Sequence, residues 1–141
     1  MSALDNIVTH YLSEFHAGRR EDAFHSLIES DSSIISDLIC AYEDAADIDT
    51  KVFVIEVISE FRLDSSLCFL RHALRRDEPR VWKAALNGMA MTDSLEAVDA
   101  MNHVHSSIQD PNKREWIKEA IADTNHSITT KGEQVGMRRR K

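Results

Sequence analysis

The stretch DEPRVWKAALNGM, residues 77–89, has a looser echo in DPNKREWIKEAI, residues 110–121. Each places an aspartate just ahead of a proline and follows it with an apolar run that carries a tryptophan. Proline fixes φ and lacks an N–H, so it suits the first turn of a helix and no later one. Both stretches therefore read as helix starts, at Pro79 and Pro111, and the repetition asks whether the rest of the chain is written the same way.

It is. Leu4, Ile7, Val8, Tyr11, Leu12 and Phe15 recur at spacings of three and four, giving one apolar face over about Ala3–His16, which Gly18 ends. Ala23, Phe24, Leu27 and Ile28 mark a second helix from Arg20 to about Glu29. Asp31-Ser-Ser supplies capping oxygens for a third, with Ile34, Ile35, Leu38, Ile39 and Tyr42 on its stripe. The fourth starts at Asp49-Thr50 and contains VFVIEVISEF, residues 52–61, whose β-branched residues also suit a strand. Glu56 and Glu60, four apart on one helical face, and the lack of any second strand decide for a helix. Being apolar nearly all round, that helix must lie between neighbours. Asp64-Ser-Ser opens a fifth helix, Pro79 the sixth, Asp93-Ser the seventh and Asp110-Pro111 the eighth.

These segments pair as hairpins, 31–45 with 50–62, 64–76 with 79–91, and 93–107 with 111–124. The first helices start at Asp31, Asp64 and Asp93, spacings of 33 and 29. Two helices in a period near 30 is the pattern of stacked hairpins, each burying its face against the next. The expected fold is all-α, a short α-solenoid of about eight helices forming a single domain over 1–125. After Asn125 the apolar periodicity stops, and ITTKGEQVGMRRRK, within 126–141, reads as a disordered basic tail.

Composition agrees with this class. The 141 residues are 43% hydrophobic and 29% charged, with only four glycines and two prolines, so one domain with a real core and few turns is expected. No apolar run approaches the ~20 residues of a membrane-spanning helix. The opening MSALDNIVTH has neither the basic start nor the apolar stretch of a signal peptide, and the expectation is a soluble, cytoplasmic chain without membrane contact. Cys40 and Cys68 lack CxxC spacing and sit in apolar helical patterns, which reads as small buried side chains.

The net charge of −7 is unevenly spread. Residues 1–60 hold 13 acidic and 3 basic side chains, residues 61–90 hold 3 and 6, residues 91–125 hold 7 and 3, and residues 126–141 carry a balance of +4. An acidic first half repels nucleic-acid phosphates and attracts basic partners. Direct nucleic-acid binding is not expected, the terminal Arg138–Lys141 notwithstanding. Arg71 and Arg75 share a helical face and are expected to pair with acids of adjacent hairpins.

The run EPRVWKAALNGMAMTDSLEAV, Glu78–Val98, resembles the short HEAT-like repeat of phycobilisome-lyase-related and other bacterial helical-repeat proteins. That pattern reads Pro-x-Val-Arg-x-Ala-Ala, a small residue with Leu-Gly, then Gly-Asp-Pro-Glu-Ala-Val. Pro79, Val81, Ala84, Ala85, Met89, Thr92, Glu96, Ala97 and Val98 fall where it wants a turn, core residues or the next helix start. Trp82 replaces its Arg, Ala90 its Gly, and Asp93-Ser94 its Gly-Asp junction. The resemblance spans at most 31–124 and implies an armadillo-type stack whose second helices line a concave, partner-binding face.

No catalytic constellation stands out. The chain lacks GxSxG, a glycine-rich phosphate loop and a CxxC pair, so neither catalytic residues nor a cofactor is expected. His103 and His105 are two apart, about 200° around a helix, and cannot share a metal; His10 with Glu14 is at most half a site. Asp44, Asp47 and Asp49 alternate like a calcium loop but lack its glycine and closing glutamate, so no metal is expected.

Binding remains. Asp37, Glu43, Asp44, Asp47 and Asp49 cluster near the third-to-fourth helix junction and continue onto Glu56 and Glu60, which would make the concave groove acidic. Trp82 and Trp116, early in their helices, are candidate anchors for a partner, although a tryptophan so placed also fills a core. A small acidic HEAT-like chain is also similar to immunity proteins of bacterial contact-dependent inhibition and related toxin systems. That resemblance implies a monomer that captures a basic toxin domain and occludes its active site. The alternative is an adaptor or chaperone-like subunit of an enzyme or pigment–protein complex.

Overall fold

A computed structural model describes the backbone of residues 3–139 and the side chains of residues 7–131. The chain is all-helical, with eight α-helices and no strand among the described residues. They are α1 (Ala3–His16), α2 (Arg20–Ile28), α3 (Ile35–Asp44), α4 (Ile48–Glu60), α5 (Leu67–Leu74), α6 (Pro79–Thr92), α7 (Leu95–His105) and α8 (Pro111–Arg139). Short 3-10 turns, Ser32–Ile34 and Asp64–Ser66, lead into α3 and α5.

Local chemistry sets most of these limits. Gly18 leaves α1 at φ 92°, a conformation that costs a residue with a Cβ far more. Asp31 accepts from the Ser33 amide, Asp47 from Thr50 and Ser94 from Ala97, each satisfying an otherwise orphaned first-turn donor. Two starts differ from the sequence expectation. α4 begins at Ile48 with Asp47 as its cap, because Asp47 sits three residues before the Thr50 amide and Asp49 is already helical. Asp93 does not open α7; it ends α6 in the left-handed region at φ 54°, and Ser94 caps α7.

Consecutive helices pack as antiparallel neighbours, α1 with α2, α3 with α4, α5 with α6, and α7 with α8. Alternate helices pack too: α2, α4, α6 and α8 follow one another in one layer, while α1 meets α3 and α5 meets α7 in the other. The 52–58 stretch lies at the centre of this arrangement. Phe53, Val54, Ile55, Val57 and Ile58 are all buried, on opposite sides of α4, because α2, α3 and α6 surround it. The core continues through Leu70, Leu74, Met89 and Met101 to Ile117. Side-chain bonds tie hairpin to hairpin across 30 and 31 residues of sequence: Ser94 to Asp64 at 2.7 Å, and Arg80 to Asp49 at 2.5 Å.

Two sequence expectations fail here. Cys40 and Cys68 are exposed, since α3 turns Leu38 and Tyr42 inward and α5 turns Leu67, Phe69 and Leu70 inward, leaving each cysteine on the outer face. The expected disorder from residue 126 does not hold for 126–131, which continue α8. Thr124 is buried, Ile128 packs on the core, and Ser127 and Lys131 both bond to Asp93 of the α6–α7 junction. Tertiary contacts hold a helix there that its own pattern does not announce. The basic cluster Arg138–Lys141, and with it the expected disorder of the terminal stretch, lies outside the residues whose side chains are described.

Candidate functional site

The α3–α4 turn gathers most of the acidic residues singled out in the sequence. Glu43 and Asp44 occupy the last turn of α3, and Asp47 caps α4 three residues on. Asp47 is committed internally: its carboxylate accepts from the Thr50 amide at 2.9 Å and from the Thr50 hydroxyl at 2.8 Å. These bonds, with a smaller contribution from the charge of His16, hold its carboxyl below the ordinary aspartate value. His16 Nε2 lies 2.9 Å from the same hydroxyl, so α1, α3 and α4 meet in one hydrogen-bonded chain, His16–Thr50–Asp47. Because the Thr50 proton goes to the Asp47 carboxylate, the His16 Nε2–H donates to the Thr50 oxygen.

Beside this chain a cleft of about 520 Å³ opens between α1 and the α3–α4 turn. Small side chains leave the space: Ala41, Ala45 and Ala46 line it together with Leu12, Asp44 and Asp47. Nearby, Lys51 donates to the Tyr42 carbonyl at 2.8 Å and lies 4.3 Å from the Tyr42 ring centroid, so this cation is held by α3 and does not cover the acids. Glu43 and Asp44 are exposed and make no hydrogen bond or ion pair among the described residues. Asp37, about two turns earlier on α3, is half-buried.

The remaining acids lie on α4, on the stripe Asp49, Glu56 and Glu60, and there the acidic groove expected from the sequence is largely neutralised. Arg20 of α2 meets Glu56 at 2.5 Å and Arg80 of α6 meets Asp49 at 2.5 Å. Both pairs are exposed and contribute little to stability, but each cancels a charge on that face. Glu60 alone of the three has no such partner among the described residues. Arg80 thus does the pairing expected of Arg71 and Arg75, which form no ion pair among the described residues. Helical spacing identifies Arg71 and Arg75 as neighbours of each other; only the stacking of α4 on α6 brings Arg80 to Asp49.

The two tryptophans prove inequivalent. Counting from the caps Glu78 and Asp110, Trp82 is the fourth helical residue of α6 and Trp116 the sixth of α8. Two residues turn a side chain by about 200°. Trp82 is therefore 3% exposed in the core, and Trp116 is 43% exposed. They meet edge to face across α6 and α8, centroids 5.9 Å apart at 84°. Trp82 is thus a core side chain, and Trp116 presents part of its ring at the surface.

Two lysines escaped sequence reasoning. Lys113 occupies the position on α8 that the buried Val81 occupies on α6, and it is only 5% exposed. Its ammonium donates to the Arg76 carbonyl at 2.9 Å and lies 5.4 Å from the Trp82 centroid, and burial pushes its pKa down. Lys83 is exposed and holds its Nζ 4.5 Å from the Trp116 centroid. Aligning the two proline-led helix starts by their caps would have exposed the Lys113 anomaly; nothing local marks Lys83.

Among the described residues no group of three or more His, Cys, Asp or Glu is placed to hold a metal ion, and no helix is long and apolar enough to cross a membrane. No protein-family model, no curated protein and no solved structure matches this chain, so its function has to be argued from the charges and surfaces described above.

Proposed function

We propose that the protein is a non-catalytic protein-binding module, a short α-solenoid of HEAT-like hairpins acting as an immunity protein that captures and occludes a basic toxin domain. The observation that carries the reading is the pair Glu43 and Asp44, exposed, unneutralised and placed at the C-terminal end of α3. The helix dipole is negative there, so acids weaken the helix that bears them. Residues that cost local stability while remaining free of intramolecular partners fit a surface kept for another molecule. The left-handed Asp93, in the conformation glycine favours, stands where the HEAT-like pattern has its Gly-Asp junction and supports the repeat reading.

Capture of this kind needs no reacting group. Carboxylates at the α3–α4 turn occupy positions that substrate phosphates would take on a basic nuclease, and the net charge of −7 draws that partner in from a distance. The adjoining cleft offers apolar walls for the partner's side chains.

The test begins with recovery of the bound partner at moderate salt and continues with its association kinetics. Glu43→Lys with Asp44→Lys is expected to slow association about tenfold at low ionic strength and to flatten its salt dependence. Lysine suits the negative end of α3, so this variant keeps its fold. A partner without a basic face, or association rates indifferent to the reversal, would overturn the electrostatic reading and favour an adaptor subunit.

A further inference from the structure

Between α6 and α8 an open groove of about 250 Å³ runs past Lys83 and Asn87 on one side and Trp116, Glu119 and Asp123 on the other. Trp116 leaves 43% of its surface uncovered at the edge of this groove. Glu119 and Asp123 follow it by three and seven residues on α8, so all three share one face. Neither carboxylate makes a hydrogen bond or ion pair among the described residues. The groove thus offers an aromatic face, which attracts cations, beside two uncommitted anions.

The protein already shows how cations use this pair of rings. Lys113 is the fixed case: its ammonium is buried against Trp82 and bonded to the Arg76 carbonyl. Lys83 is the exchangeable one. Its Nζ lies 4.5 Å from the Trp116 centroid and 5.6 Å from that of Trp82, yet it is exposed and makes no hydrogen bond or ion pair among the described residues. Only the ring holds it there, and such a contact is weak in water.

We propose that this groove is a recognition site for an arginine side chain of a partner protein, whose guanidinium displaces Lys83 from Trp116 and pairs with Glu119 and Asp123. Arginine fits better than lysine because its planar, weakly hydrated guanidinium stacks on an indole and spans two carboxylates at once. The inference rests on the proposed function for the basic character of the partner and adds a second contact, on α8, to the one at the α3–α4 turn.

Fluorescence anisotropy of a labelled hexa-arginine peptide tests it. Trp116→Leu alters no charge, so general attraction to an acidic protein is untouched, and it is expected to weaken binding roughly two- to fivefold, the size of an exposed cation–π contact. Lys83→Ala removes the internal competitor and one positive charge, so it is compared with Lys118→Ala, which removes the same charge from an exposed position outside the groove lining. Lys83→Ala is expected to bind more tightly than that control by a similar factor, which neither the lost charge nor a structural role for Lys83 would produce. Hexa-lysine should bind less tightly than hexa-arginine. Equal affinity for wild type and Trp116→Leu, or no gain from Lys83→Ala over Lys118→Ala, overturns the site. If peptide binding follows Trp116 and Lys83 while the recovered partner ignores Glu43 and Asp44, the α3–α4 reading falls and the arginine site stands; the reverse outcome removes the arginine site alone.

Discussion

Asp47 shows how much one side chain carries in this protein. It caps α4, fixes the Thr50 hydroxyl and through it orients His16 on a different hairpin. Asp47→Ala is expected to cost about 1 kcal/mol at neutral pH, the usual worth of such a cap. Since folding lowers the pKa of Asp47, the unfolded chain takes up its proton first as pH falls. The contribution is therefore fully present above the unfolded value, and it is lost as pH drops through the folded one. Denaturant unfolding at pH 7 and pH 3 should show the gap between wild type and Asp47→Ala shrinking at the lower pH. A gap of equal size at both would mean that the carboxylate does not act as the cap. Capping is visible in sequence as a small polar residue before an apolar run, but Asp47 and Asp49 both qualify. Only the three-residue reach to the Thr50 amide chooses between them.

The contact of α4 with α6 depends on an absence. A Cβ on Gly88 would come within 2.2 Å of the Ser59 Oγ and 3.1 Å of its Cβ, so the two helices approach as closely as they do because position 88 has no side chain. Ser59 is buried and its hydroxyl is committed to the Ile55 carbonyl at 2.7 Å, which limits its room to yield. Gly88→Ala gains helix propensity of about 1 kcal/mol and loses about 1–3 kcal/mol to overpacking. A net loss is expected by thermal or denaturant unfolding. Ser59→Ala in the same chain should return part of it, and strict additivity of the two changes would argue against the contact. Sequence periodicity does identify α6, yet it treats Gly88 as a weak helix residue; its purpose is set by a side chain 29 positions away.

For the molecule as a whole, the end of α8 joins the fold to its own middle. Ser127 and Lys131 reach Asp93, whose carboxyl they hold below the ordinary aspartate value, and Ile128 packs on the core. Ending the chain at Asn125 is expected to lower the melting temperature by several degrees, corresponding to about 1 kcal/mol in a domain of this size. An unchanged transition would show that the chain beyond Asn125 adds nothing to stability. The surface charge is likewise a property of the whole. An acidic half was legible from residue counts, but the face that carries it was not. Arg20 and Arg80 cancel Glu56 and Asp49 from neighbouring hairpins, so that on the acidic first half Glu43 and Asp44 stay unneutralised where Asp49 and Glu56 do not.

The sequence by itself determined the all-helical class, the eight helices seen among the described residues and the approximate position of most of their starts, because these rest on interactions within a few residues: apolar spacing, caps, a proline at a first turn and a glycine beyond a last one. It also determined that 52–58 is surrounded, since a helix apolar on all sides has no other stable place. The tertiary structure decided which acids remain free, that Trp82 is core while Trp116 is surface, that both cysteines face outward and that α8 continues past Asn125. Each of those outcomes depends on which face a neighbouring hairpin covers, or on partners 30 or more positions apart. Local periodicity carries no record of either.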